Sequence, residues 1–153
     1  MSPTRNATRR LMEQVRAAHA LECVQRVKSK LPPTGQAKYR GYVERFITAV
    51  LTNGLGQALA FERAQAGADP KGDDEQAHQQ LYDNITDWLA KEGDGPALLP
   101  AGKDLLEWLV HSSQHEYLAA HSETLAWANW HKKFCQAYLP REQDVSGTSE
   151  GRS

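Results

Sequence analysis

Long apolar runs are missing from this sequence of 153 residues. No segment approaches the roughly 18 consecutive apolar residues of a membrane-spanning helix, and MSPTRNATRR at the N-terminus has no apolar stretch behind its charges. Since nothing signals export, the sequons at Asn6 and Asn84 are not expected to carry sugars. From these absences we expect a soluble, cytoplasmic protein. Hydrophobic residues make up 40% of the chain, which is enough for a single core.

Cysteine is equally scarce. Cys23 and Cys135 are the two cysteines of the chain, and 112 positions separate them. This spacing is neither a disulfide framework nor a CxxC ligand pair. We therefore expect two reduced, partly buried thiols.

Runs of alternating β-branched residues are also lacking, whereas helical spacings recur along the chain. The pattern predicts an all-α fold, a single-domain bundle of about six helices over residues 1–139. The last segment, 140–153, is rich in Ser, Gly and charge, so we expect a disordered tail. Turn-forming residues divide the chain at 31–33, 66–74, 93–102 and from Leu139 onward.

The predicted helices follow from these breaks and from capping residues. A long first helix is expected from about Thr4, as N-cap, to Lys30, where two prolines follow. The other expected helices begin near Thr34, at Asp73 or Asp74, near Gly102, at the capping box of Ser113 with Glu116, and at Ser122, the last running from Glu123 to about Leu139.

The stretch LTNGLGQALAFERA carries two glycines, Gly54 and Gly56, inside an apolar run. A phosphate-binding loop follows a strand and opens a helix, whereas here helical spacing enters and leaves the glycines without a change of phase. We therefore predict that the second helix continues through them, and that they permit a close helix crossing or a kink.

Residues that could form an active site are sparse. His111 and His115 are four apart, with His121 nearby, but no third ligand or HExxH pattern accompanies them, so surface or capping histidines are expected. Asp83 and Asp87 share a helix face without paired ExxE motifs, which favours a solvated face over a magnesium site. There is no GxSxG motif. We predict no catalytic residues, no metal, no cofactor and no small-molecule substrate.

Charge is unevenly distributed along the chain, although the net charge is only -1. Residues 1–63 hold 11 Lys/Arg against 4 Asp/Glu, whereas residues 64–128 hold 3 against 12. Such asymmetry suggests an anionic partner, or copies that meet head to tail. If the first helix forms as predicted, one side carries Arg5, Arg9, Arg16, His19, Arg26 and Lys30, interrupted by Met12 and Cys23. This basic stripe fits a binding surface or a solvated face equally well.

The segment WANWHKKFCQAY, residues 127–138, combines aromatic and basic residues. Its rings have helical spacing, so we expect a core helix with a basic solvent face. The predicted core residues are Leu125, Trp127, Trp130, Phe134 and Tyr138, and the basic face comprises His131, Lys132 and Lys133, of which the two lysines are candidate phosphate contacts.

Two segments together resemble a known family. NGLGQALAF at 53–61 and EYLAAHSETLAWANWHKKF at 116–134 are similar to the small helical subunit of type III-B (Cmr) CRISPR RNA-guided effector complexes. The second segment is the more specific. This chain differs from the family pattern at Ala128 and His131, where larger apolar residues are expected.

The resemblance implies an all-helical, non-catalytic subunit that stacks in more than one copy beside subunits holding the guide RNA. Its basic surface would lie along the target RNA, and other subunits would cleave that RNA in antiviral defence. Alternatives are a metal-dependent hydrolase using His111, His115 and the acidic helix, or an adaptor without RNA contact. The expected RNA-binding residues are Arg9, Arg16, Arg26, Lys30, Arg45, Lys132 and Lys133.

Overall fold

The structure is a computed structural model that describes residues 10–145. It is all-α, as predicted, and no strand occurs within those residues. The helices are α1 (Met12–Lys30), α2 (Pro33–Asn53), α3 (Leu55–Ala66), α4 (Asp73–Ala90), α5 (Leu105–His111) and α6 (Gln114–Tyr138). Six helices within the described residues agree with the predicted number of about six, but three of the predicted helix starts are wrong and one predicted helix is divided.

Helix α1 begins at Met12 rather than near Thr4, which lies outside the described residues. Leu11 has extended backbone, and its N–H donates to Oε1 of Gln14 at 2.8 Å. The helix ends at Lys30, as predicted, because Pro32 and Pro33 follow and Leu31 is again extended. At 1.5 Å per residue, its 19 residues span about 28 Å.

The prediction that one helix runs through both glycines is wrong at Gly54. Its φ of 90° and ψ of 162° are essentially restricted to glycine, so the helix stops there and restarts at Leu55. The N–H of Gly54 still donates to the Val50 carbonyl, and its carbonyl accepts from the N–H of Ala58. One residue therefore closes α2 and opens α3. Gly56 lies inside α3 and donates its N–H to the Tyr117 hydroxyl of α6 at 2.9 Å.

The capping box at Ser113 is confirmed, since its hydroxyl accepts from the N–H of Glu116 and the Glu116 carboxylate accepts from the N–H of Ser113. The helix that follows is continuous to Tyr138, so the separate helix predicted to start at Ser122 is wrong. A hydroxyl at Ser122 is a cap signal only where the chain turns, and here the core face continues past it. Gly72, not Asp73 or Asp74, precedes α4.

Helices α1 and α6 pack side by side and run parallel. The contacting residues advance in the same direction along both helices, since Arg16 contacts Glu123 and Ala20 contacts His131. Helix α4 runs antiparallel to α1, because Asn84 meets Arg26 whereas Asp87 meets His19. The largest fully buried side chains come from α2 to α6: Trp88, Trp127, Tyr39, Phe46, Leu55, Leu59, Leu81, Ile85, Leu89, Leu105, Leu109 and His131.

The predicted aromatic core of α6 is only partly right. Trp127 is fully buried, and Leu125, Trp130 and Phe134 are half-buried against the core. Tyr138 is 52% exposed, although the next residue, Leu139, is buried. Beyond it, residues 142–145 form a helical turn, and residues 146–153 of the predicted tail lie outside the described residues.

Candidate nucleic-acid interface

Arg16, the first described arginine of the predicted stripe, is held within the molecule. Its guanidinium donates to both carboxylate oxygens of Glu123, Nε at 2.6 Å and Nη2 at 3.0 Å. The side chains are 25% and 14% exposed, so this bidentate pair is largely shielded from water. The hydrogen bond to Glu123 raises the pKa of Arg16 further. The pair joins α1 to α6 and neutralises the charge predicted to face a phosphate.

His19 is buried rather than part of a solvent-facing stripe. Trp127 donates its indole N–H to Nδ1 of His19 at 2.9 Å, so the imidazole proton lies on Nε2, which donates to Asp87 at 2.7 Å. Burial lowers the pKa of His19 despite the carboxylate. A neutral imidazole therefore bridges α6 and α4.

Arg26 also points to α4. Its Nη1 donates to Oδ1 of Asn84 at 3.3 Å, and Nη2 lies 3.8 Å from Asp87. The presence of Met12 and Cys23 within the stripe was the signal that this side of α1 flanks the core.

Four lysines form a separate group, which we call the lysine end: Lys28, Lys30, Lys132 and Lys133. Within residues 10–145, none of their ammonium groups has an ion-pair or hydrogen-bond partner. Three are exposed and Lys132 is half-buried. Because α1 and α6 run parallel, the C-terminal parts that carry these lysines lie at the same end of the bundle. Lys28 was not predicted.

The two remaining predicted residues lie elsewhere. Arg45 is exposed on α2, with its guanidinium carbon 5.3 Å from the ring centre of Tyr42. A neutral ring leaves the positive charge uncompensated. Arg9 lies outside the described residues.

His131 was predicted on the solvent face, and this prediction is wrong. The ring is fully buried and stacks on Trp127 with centroids 4.4 Å apart. Nδ1 donates to the Ala20 carbonyl, so Nε2 accepts from the Tyr39 hydroxyl. Burial lowers the pKa of His131 to about 3. Its partners come from distant segments, which local spacing cannot reveal.

The polar chain continues from Tyr39 through α4. The Tyr39 oxygen accepts from the Asn84 side-chain amide at 2.9 Å, and Oδ1 of Asn84 accepts from Gln80 at 2.8 Å. Together with His131 and Ala20, these residues form a buried network that joins α1, α2, α4 and α6. Every donor in it has a defined acceptor, so its role is to fix how the helices pack.

The residues considered for chemistry are separated or already engaged. His111 ends α5 and bonds the Glu107 carbonyl, whereas His115 lies on α6. Asp83 accepts from Gln79. Among residues 10–145, no group of three or more His, Cys, Asp or Glu side chains could hold a metal ion. Within the same residues, no helix is both long and apolar enough to cross a membrane.

The thiols are free but more deeply buried than expected. Cys23 and Cys135 are both almost fully buried, on α1 and α6. Burial raises the pKa of Cys23 to about 12 and raises the pKa of Cys135 as well. A thiol that stays protonated in an apolar core is a poor nucleophile.

Comparison with known proteins identifies the fold. The sequence profile of the CRISPR-associated protein family Cas_Cmr5 matches residues 12–138. The chain belongs to the Cmr5 family. A crystal structure of a CRISPR-associated Cmr5 family protein from Thermus thermophilus is similar, with a TM-score of 0.63 and 28% sequence identity. The match covers 86% of this chain and 100% of the Thermus protein.

The resemblance drawn from residues 53–61 and 116–134 is thereby confirmed, and Cmr5 membership supports a type III-B CRISPR complex subunit. The match spans all six helices of the bundle. His131, which differs from the expected family pattern, lies at the centre of the buried network of this Cmr5 protein.

Proposed function

We propose that this Cmr5 protein is a non-catalytic structural subunit that stacks in more than one copy and contacts the target RNA backbone. The observation that carries the proposal is the lysine end, whose four ammonium groups have no carboxylate partner within residues 10–145. Uncompensated lysines are suited to phosphate contacts, which position a protein on a strand without reading its bases.

The arginines of α1 have a smaller part in this proposal. A phosphate would have to compete with Glu123 for Arg16, and with Asn84 and Asp87 for Arg26. We therefore assign the main RNA contacts to the lysine end, with Arg45 as a separate cation on α2. Arg9 precedes the described residues.

The opposite end of the bundle supports stacking of copies. Asp104 caps α5, Glu107 lies in its first turn, and Glu116 lies in the first turn of α6. These three carboxylates line one groove, together with Lys103, beside the first turn of α6, whereas the lysine end is at the C-terminal part of that helix. Opposite charges at the two ends favour a head-to-tail arrangement, in which successive lysine ends form a repeated basic track.

A structural rather than catalytic role is consistent with the engagement of two buried histidines and with the burial of both thiols. His19 and His131 each use both ring nitrogens in defined hydrogen bonds. Burial raises the pKa of both thiols. We therefore assign RNA cleavage to other subunits of the complex.

The test is target-RNA binding by the reconstituted complex as a function of salt. Lys132→Glu with Lys133→Glu should weaken binding and flatten the salt dependence, since each phosphate contact adds about 0.7 to the slope of log affinity against log salt. The charge-matched control is Lys71→Glu with Lys91→Glu, because both lysines lie outside the lysine end and each already has a carboxylate partner, Asp69 and Asp94. Equal affinity and slope for the two double variants would contradict RNA contact at the lysine end and would favour an adaptor role.

A further inference from the structure

Phe61 of α3 is an aromatic side chain that the core does not use. It is 55% exposed, and its ring meets His78 edge-on with centroids 6.1 Å apart. The neighbouring residues of α3 leave it accessible, since Gln57, Ala60, Ala64 and Gln65 are also exposed. One side of the ring is therefore held in place while the rest faces solvent.

Two further rings fix the position of Phe61. His78 is buried and stacks face to face with Tyr42 at 3.8 Å, with an interplanar angle of 12°. The Tyr42 hydroxyl donates to Asp74 at 2.7 Å, so this ring is tied to α4 as well. The three rings come from α2, α3 and α4 and contact one another in series, from half-buried Tyr42 through buried His78 to exposed Phe61.

Two arginines lie next to this surface, Arg45 over one of the three rings and Arg63 across α3 from Phe61. Arg45 lies over Tyr42, and Arg63, two positions after Phe61, lies over the ring of Tyr82 at 5.2 Å. Both arginines are exposed. Arg63 donates to the neutral amide of Gln79 at 3.2 Å, so that contact leaves its charge in place. Stacking on rings restricts the guanidinium groups without neutralising them.

Carboxylates close to this surface are neutralised or occupied. Glu62 is the one acidic residue of α3; it is 3% exposed and lies 2.6 Å from Nδ1 of His78. Burial raises the pKa of Glu62 to about 8 and lowers the pKa of His78, so the two groups share one proton and carry no net charge. Asp74 is paired with Lys38 at 3.0 Å. Glu75 of α4 is half-buried. On the Arg63 side, Asp83 accepts from the side-chain amide of Gln79, and Asp104 accepts from the Tyr82 hydroxyl.

We propose that Phe61, Arg45 and Arg63 form a second RNA-binding site, in which one unpaired base stacks on Phe61 and the adjacent phosphates bind the two arginines. Aromatic stacking accepts any base, and two nearby cations suit the repeated charge of a single strand. Duplex RNA keeps its bases stacked inside the helix and is not expected to bind here. This inference rests on the proposed function in its choice of RNA, but it uses residues separate from the lysine end.

The experiment measures binding of fluorescent single-stranded oligouridylate and oligoadenylate to the isolated full chain by anisotropy at low salt. Phe61→Leu keeps an apolar side chain but removes the ring, and should weaken binding about 5- to 150-fold, the range for loss of one base-stacking contact. Phe61→Trp should preserve binding. Leu118→Ala is the matched control, since Leu118 is also 55% exposed but lies on α6.

Arg45→Gln with Arg63→Gln should lower the salt slope by about 1.4, the sum of two single-strand phosphate contacts. Circular dichroism melts of each variant show whether the fold is intact. If Phe61→Leu unfolds, the binding of Phe61→Trp is compared with that of the wild-type chain, and the two should be alike. The inference is overturned if the wild-type chain does not bind the oligonucleotides, or if Phe61→Leu and Leu118→Ala bind alike. The lysine-end test in the reconstituted complex is independent of this experiment. If the lysine variants left RNA binding of the complex unchanged while Phe61→Leu weakened oligonucleotide binding, only the proposed placement of the main contacts would be contradicted.

Discussion

Removal of a single hydroxyl, by Tyr39→Phe, should destabilise the bundle strongly. That hydroxyl donates to Nε2 of His131 and accepts from the side-chain amide of Asn84 at 2.9 Å. All three side chains are fully buried. Phenylalanine fills nearly the same volume, so the change leaves one donor and one acceptor without partners and creates little cavity.

The expected magnitude follows from those two groups. Each buried polar atom left without a partner costs about 1–3 kcal/mol, which gives about 2–6 kcal/mol for the pair. A domain of this size has a free energy of unfolding of about 5–15 kcal/mol, so Tyr39→Phe should remove a large part of it. Rotation of the Asn84 amide offers little relief, because Oδ1 already accepts from Gln80 and Arg26.

Urea unfolding followed by circular dichroism measures this change, with the m-value checking that the unfolding transition remains comparable. Tyr42→Phe is the matched control, because it removes a hydroxyl whose bond to Asp74 is exposed, and it should cost about 1 kcal/mol or less. Equal losses for Tyr39→Phe and Tyr42→Phe, or a loss below about 1 kcal/mol for Tyr39→Phe, would refute the network as the element that fixes helix packing.

Two further predictions concern Gly54 and Glu62. Gly54→Ala should lower stability by about 1–3 kcal/mol in thermal melts, because φ at Gly54 is 90°. Gly56 lies in regular helix, where an added Cβ would be 3.2 Å from the Tyr117 hydroxyl oxygen, so the stability of Gly56→Ala should lie within about 1 kcal/mol of wild type. A larger loss at Gly56 would contradict this assignment. Burial raises the pKa of Glu62 from 4.5 to about 8, so over this range the folded state keeps a proton that the unfolded state has lost, and stability decreases as pH rises. The lowered pKa of its partner His78 opposes this change below pH 6.5, so the net fall in stability is expected from about pH 6.5 to 8. Glu62→Gln should flatten that decline, and an unchanged slope would show that Glu62 does not titrate in this range.

The sequence predicted the fold class well because helical spacing and the breaks at Pro32 and Gly93 are local signals. The sequence-based prediction was wrong at Gly54 and Ser122, where the local pattern differs from the geometry of the folded chain. The apolar phase continues across Gly54, but only the backbone angles reveal the break. Ser122 has the chemistry of a cap, but the core covering α6 extends through it.

Site residues were harder to predict because charge in a sequence does not show its partner. Arg16 and Glu123 are 107 positions apart, and only the parallel packing of α1 and α6 brings them together. His131 appears basic beside Lys132, yet its carbonyl partner is 111 positions away. Lys30, Lys132 and Lys133 were predicted as RNA contacts, but the sequence did not show that they, unlike Arg16 and Arg26, have no side-chain partner within residues 10–145.

Cross-linking tests the central claim, RNA contact by this Cmr5 subunit, most directly. The reconstituted complex would be assembled on target RNA carrying 4-thiouridine, irradiated, and digested for mass spectrometry. Cross-linked nucleotides are expected on tryptic peptides next to Lys28, Lys30, Lys132 and Lys133. RNA cross-links on other subunits, with none on this chain in the same sample, would contradict the claim.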